Sequence, residues 1–331
     1  MATVEGSSAD LSRETLLDIY RSANLIYQAD EKFRAMILSG ELQILYYSPR
    51  GQEILSAALM AALRPDDYLV TTYRGLHDQL AKGIPVRDLW AEFAGKGTGT
   101  CKGKGGPMHI THPATGVMVT TGIVGSGLPI ANGLALASQL EGDRKVTVVC
   151  FGDAATNIGA FHESLNMAQI WKLPVIFVCQ NNLYGEHTPQ AMSTGCAELI
   201  DRALGYGIRG VQVNGNDAFA MHAAASEAVG RARAGEGPTF VEAKTFRFLG
   251  HLLGDESHYI PVEEMASARA ADPIPAYRTA LLERQITAAD LDRIDADIAA
   301  LVAEAAEHAL ASDYPDVSEI RRDVLRQEIA A

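Results

Sequence analysis

Cations, cysteines and long apolar runs are all scarce in this chain of 331 residues. Lys and Arg number 28 against 41 Asp and Glu, a net charge of −13 with histidine neutral. An excess of that sign repels phosphate backbones and anionic lipid headgroups, which argues against nucleic acid and the membrane surface as partners. The four cysteines, Cys101, Cys150, Cys179 and Cys196, show no CxxC spacing, so a zinc site is not expected. Reduced thiols of a cytoplasmic protein are the expectation instead. No apolar run approaches the roughly 20 residues that cross a bilayer. The opening MATVEGSSAD has neither the apolar core of a secretion signal nor an Arg-rich presequence pattern. No internal repeat and no linker is visible, and a single domain over 1–331 is the economical division.

What is present is alternation. Ser12 or Asp10 caps a predicted first helix that ends near Ser39, an N-terminal arm of about 40 residues. A helix over Gln52–Leu63, a strand over Tyr68–Thr72 and a helix over Val86–Ala94 follow. Gly95–Gly116 is too glycine-rich for helix or central strand and reads as a long loop bearing Lys102 and Lys104. Beyond a small-residue helix at Leu128–Leu140, strand and helix patterns alternate to Phe246, and residues 261–331 read as a helical extension. This order predicts an α/β fold, a doubly wound, mostly parallel sheet with helices on both faces.

The stretch from Gly152 to Tyr184 carries the chemistry. An apolar run, Val146–Phe151, ends on Gly152-Asp153; a helical pattern follows Asn157; a second apolar run, Val175–Cys179, delivers Gln180-Asn181-Asn182. Strand, helix and strand make a βαβ unit whose two strands are parallel and usually adjacent. Asp153 and Asn182 then share the carboxyl edge of one sheet, where open α/β sheets bind ligands. A helix starting near Asn157 would aim its free N–H groups at the same place, as a phosphate requires. A carboxylate, an amide oxygen and a carbonyl from the next turn are hard ligands suited to magnesium.

Gly-Asp followed after a helix by Asn-Asn, within NIGAFHESLNMAQIWKLPVIFVCQNNLYG, resembles the thiamine diphosphate motif. The likeness is to the alpha subunit of the decarboxylase component of 2-oxo-acid and acetoin dehydrogenases, and runs from about Leu16 to Ile260. The resemblance implies that Asp153, Asn182 and the Tyr184 carbonyl bind Mg2+. It implies that Tyr73, Arg74, Arg247 and His251 meet the diphosphate, with Gly152, Ala154 and Ala155 in the same turn. Gly122 and Val124 match the residues that meet the aminopyrimidine ring, and His251 is the candidate for moving protons. His77 lies one residue off the family's histidine, and Asp255 and His258 are secondary candidates. This chain departs from the family at Ala154, where glycine is usual, at Leu252, where regulated members carry serine, and at Ile260, where arginine is common.

Other motifs fail on context. The lysine–glycine loop lacks the spacing of a nucleotide-binding loop and reads as a cationic flap, which the resemblance puts near the cofactor entrance. GYGIRG at 205–210 follows a helix and precedes a strand, the reverse of a dinucleotide fingerprint. His109 and His112 lack further metal ligands. The resemblance also implies a separate beta subunit supplying the catalytic glutamate in an α2β2 assembly, and a lipoyl acyltransferase as acyl acceptor. The expected function is therefore decarboxylation of a 2-oxo acid, or cleavage of acetoin or another acyloin. A non-oxidative carboligase or lyase subunit and a catalytically silent regulatory subunit are the alternatives.

Overall fold

The computed structural model of the protein describes residues 2–3 and 11–323. In chain order, β1 (Ala2–Thr3) precedes α1 (Arg13–Leu38), which Ser12 caps by accepting from the Thr15 amide. Next come α2 (Glu53–Met60), β2 (Tyr68–Thr72), α3 (Leu76–Ala81) and α4 (Val86–Phe93). The glycine-rich loop leads to β3 (Val117–Thr121), α5 (Gly127–Glu141), β4 (Thr147–Gly152), α6 (Gly159–Trp171) and β5 (Val175–Asn181). A small hairpin, β6 (Tyr184–Gly185) with β7 (Thr188–Pro189), precedes the short α7 (Gln190–Ser193) and α8 (Asp201–Leu204). Then follow β8 (Arg209–Asn214), α9 (Ala218–Arg233) and β9 (Thr239–Lys244). Helices α10 (Val262–Ala270), α11 (Pro273–Glu283) and α12 (Ala288–Ala311) close the chain.

Seven strands form one parallel sheet in the order β1-β8-β9-β5-β4-β2-β3. Both faces of its centre are buried. Val148, Cys150, Ile176 and Val178 face the core shared with α1, α2, α4 and α9, while Val149, Phe151, Val175 and Phe177 face α5 and α6. That two-sided burial is why β4 and β5 read as unbroken apolar runs, as central parallel strands do. The chain leaves β2 toward β3 on one side and leaves β4 toward β5 on the other, although β2 and β4 are neighbours. Connections that diverge from adjacent strands open a crevice at their carboxyl ends.

The two-residue β1, α3, β3, the β6–β7 hairpin and α7 lie outside the sequence-based expectation. The long loop holds two short 3-10 turns and is otherwise irregular, as expected. Its reading as a cationic flap needs correcting. Lys102 and Lys104 are ion-paired with Glu319 and Asp323 of the C-terminal segment, and Lys96 lies 3.9 Å from the Tyr314 ring centroid. The loop's positive charge is spent on the chain's own tail.

Candidate cofactor site

The crevice between β2 and β4 is a cleft of about 270 Å³, lined among others by Tyr73, Arg74, Asp153, Asn182, Arg247 and His251. Strand register builds it. Gly152 pairs with Gln180 across β4 and β5, so Asp153 and Asn182, just past the two strand ends, come to the same edge. Asp153 opens a 3-10 turn, Asp153–Asn157, and α6 begins only at Gly159, behind Ile158 and without a side-chain cap. The expected helix start near Asn157 is therefore displaced, and the turn rather than the α-helix follows Asp153 directly. Of the two asparagines, Asn181 turns away to donate to Glu242 on β9, 2.7 Å, and Asn182 alone lines the cleft. The turn after it is tight: Leu183 has φ +72, and the Tyr184 amide donates to Asn182 Oδ1 at 3.3 Å.

Charge in this cleft is uncompensated. Asp153 is 2% exposed, and its Oδ2 has no hydrogen-bond partner. Burial pushes its carboxyl up to about 6, against the opposing pull of its own and Asn182's N–H groups and the Arg247 charge. Two guanidiniums are buried opposite. Arg74 donates to the Ser48 carbonyl at 2.7 Å and the His251 carbonyl at 2.8 Å. Arg247 donates to the Glu186 carbonyl and to Tyr259 Oη at 2.9 Å, and its Nε is buried without a partner. Neither arginine is ion-paired with a carboxylate among the described residues. Burial and then Arg247 pull Arg74 down to about 10, the mark of two cations held together in a dry place. Burial, followed by both arginines, holds His251 at about 4, so its ring is neutral at neutral pH.

The remaining expected residues divide. Gly152, Ala154, Ala155, Tyr184 and Val124 line the cleft; Gly122 does not, and stands beside the His109 ring instead. His77 is fully buried beneath the cleft, between Gln180 (3.2 Å) and Gln52 (3.5 Å). His258 is at the surface with Glu256. Asp255 braces the loop by accepting from the His251 amide (2.6 Å) and Tyr259 Oη (2.7 Å). Ile260, at the family's arginine position, anchors that loop by packing with Tyr184, Phe246 and Phe248. Sequence reasoning did not single out Gln52, Glu186 or Tyr47. Gln52 accepts from Asn182 Nδ2 at 3.0 Å, Glu186 lines the rim, and the Tyr47 ring lies 5.3 Å from His251. The one available signal was Gly51-Gln52-Glu53, a polar triplet at the start of an otherwise apolar helix.

An orphaned carboxylate oxygen opposite unpaired guanidiniums is the donor set for a divalent cation bridging to a polyanion. Among the described residues no group of three or more His, Cys, Asp or Glu is placed to hold a metal, so this chain offers a partial shell only. No helix among them is long and apolar enough to cross a membrane.

Residues 22–318 match the family model described as dehydrogenase E1 component. The chain is 37% identical to the alpha subunit of acetoin:2,6-dichlorophenolindophenol oxidoreductase from Cupriavidus necator, over 98% of each chain. To the same subunit from Bacillus subtilis it is 36% identical, over 98% of this chain and 97% of the relative. To the pyruvate dehydrogenase E1 component subunit alpha of Rhizobium meliloti it is 35% identical, over 97% and 92%. A model match covering most of the sequence, and relatives more than a third identical along nearly all of it, mean that this chain belongs to the dehydrogenase E1 component family.

Proposed function

We propose that the protein is the alpha subunit of a thiamine diphosphate-dependent dehydrogenase component, and that the β2–β4 crevice seats the cofactor's diphosphate with a magnesium ion. The observation that carries this reading is the orphaned Asp153 Oδ2 facing the same cleft as the unpaired Arg74 and Arg247. In this reading Asp153, the Asn182 side chain and the Tyr184 carbonyl hold the metal. Tyr73, Arg74 and Arg247 hold phosphate oxygens beside the Gly152–Ala155 turn, and Val124 lies on the ring side. Bound there, the cofactor supplies the carbanion chemistry that lets the bond beside a carbonyl carbon break. The chain's own part is to orient it, exclude water and present His251 as a neutral ring that can hydrogen-bond at the reacting end.

A beta subunit supplies the glutamate that faces the aminopyrimidine in an α2β2 assembly, and a lipoyl acyltransferase takes the acyl group. The substrate is a 2-oxo acid or an acyloin. The whole chain acts as one domain, with about 1–40 and 261–331 as helical extensions, in a cytoplasmic enzyme. Calorimetric titration of the α–β complex with thiamine diphosphate tests the reading. Binding is expected with magnesium, and is expected to vanish on chelation or in Asp153→Ala. Equal binding by that variant would overturn it.

A further inference from the structure

The rim of the cleft carries a negative charge that the diphosphate seat does not need. The turn joining β6 to β7 is Glu186-His187, and Glu186 sits at φ +52, the left-handed conformation that a two-residue hairpin turn takes at its first position. The turn is held from inside the site, because the Glu186 carbonyl accepts from the buried Arg247 guanidinium. Glu186 lines the cleft with Tyr73, Arg74 and His251, and its charge acts on both Tyr73 and His251.

The neighbouring cations are held in place by neutral acceptors. Arg74 is bonded to two carbonyls, and Arg247 to a carbonyl and a phenol. On the reading proposed above, the charge of both is matched by diphosphate. His187, the other rim residue, has Nε2 3.7 Å from the Asp255 carboxylate. A substrate carboxylate arriving at this rim therefore meets Glu186 with no free guanidinium or ammonium from the described residues of this chain.

We infer that the site selects a neutral α-hydroxy ketone over an anionic 2-oxo acid, and that the Glu186 carboxylate is the specificity-determining residue of this chain. This inference rests on the cofactor reading and names its substrate class. A like charge at an entrance raises the cost of bringing an anion in and leaves a neutral ketone nearly unaffected.

The test uses the α–β complex loaded with magnesium and thiamine diphosphate, with a redox dye as acceptor, and compares kcat/KM for acetoin and pyruvate. Acetoin is expected to be preferred. Glu186→Gln is expected to shift the pyruvate-to-acetoin ratio of kcat/KM toward pyruvate by about tenfold, and Glu186→Lys further, as for loss and reversal of one nearby charge. Raising salt should lift kcat/KM for pyruvate in the native complex and not in Glu186→Gln, because only the former has a repulsion to screen. Saturation-transfer NMR of the pyruvate and acetoin methyl groups should follow the same order in binding. A native preference for pyruvate, or a ratio and salt dependence unmoved by both substitutions, overturns the inference while magnesium-dependent cofactor binding leaves the proposed function standing. A complex that binds no cofactor overturns both.

Discussion

A β-carbon added to Gly185 would lie 2.5 Å from the β-carbon of Ala154. The alanine standing where the resembled family usually has glycine is thus matched by a glycine in the β6–β7 hairpin packed directly against it. Gly185 is not among the positive-φ glycines, so what the position requires is space rather than a left-handed backbone. Gly185→Ala should force the hairpin off the Asp153–Asn157 turn. Overpacking of this kind costs about 1–3 kcal/mol, and weaker cofactor binding with a lower Tm is expected. Ala154→Gly in the same chain should restore both. A double-mutant cycle on Tm and cofactor affinity checks this; additive losses would show that the two positions do not touch.

Asp153 titrates on the wrong side of its ordinary range for stability. Its folded value of about 6 lies above the usual 3.8, so the folded state holds an extra proton between them. Its contribution is therefore present below about pH 4 and is lost as the pH rises through about 6, on the order of 3 kcal/mol. Metal-free protein should lose less stability over that range once Asp153→Asn removes the carboxylate, as Tm measured against pH will show. A cation needs the ionised form, so magnesium-dependent cofactor binding should weaken as the pH falls below about 6 and release a proton there. Calorimetry in buffers of different ionisation enthalpy reads that proton directly.

The parts legible in the sequence are those whose reasons are local. Strands β4 and β5 are apolar throughout because both their faces are buried, and the crossover between them fixes Asp153 and Asn182 at one edge. Helix α12 shows its apolar stripe in the sequence, and it lies in the stretch expected to be helical. Strand β3 is harder. It has five residues with a mixed burial pattern, enclosed by a glycine loop and a small-residue helix, and its pairing with β2 is what makes it a strand.

The site was half legible for the same reason. Strand ends and loop words identify the acid, the amide and the arginines. The groups that orient them come from far away: Gln52 meets Asn182 across 130 residues, and the acids that neutralise Lys102 and Lys104 lie more than 200 residues on. No periodicity announces such pairs. The helix start was misjudged because Asp153–Asn157 closes a 3-10 turn first, with Thr156 Oγ1 donating back to the Asp153 carbonyl at 2.7 Å.

Gln52 is expected to be a positioning residue for the metal. It is 1% exposed and accepts from Asn182 Nδ2, an arrangement that keeps the Asn182 oxygen on the cleft side. Gln52→Leu removes the acceptor and frees the amide to turn. Loss of such an outer partner typically costs 10–100-fold in metal affinity, and about tenfold is expected here. Gln52→Glu keeps an acceptor at that place and should lose less. Magnesium titrations at fixed cofactor concentration separate the two, and equal losses would show that Gln52 acts through packing instead.

Glu92 governs the glycine-rich loop. Its fully buried carboxylate accepts four backbone N–H groups, from Cys101 (2.7 Å), Gly103 (2.9 Å), Gly105 (2.7 Å) and Gly106 (3.1 Å). An acceptor-only group at the centre of four donors sets the path of a segment with little side-chain packing of its own. Glu92→Gln is nearly isosteric, yet it turns an amide NH2 toward two of those donors and removes the charge that strengthens the rest. Leaving buried donors unmet costs about 1–3 kcal/mol each, so the loop should open locally before the sheet unfolds. Hydrogen exchange at 101–106 should accelerate by at least about tenfold, and limited proteolysis should cut within 95–106. The sheet amides of β4 and β5 should keep their protection, because their hydrogen bonds are made within the sheet and not to the loop. Exchange rising equally in β4 and β5 would mean that Glu92 supports the whole core rather than this loop.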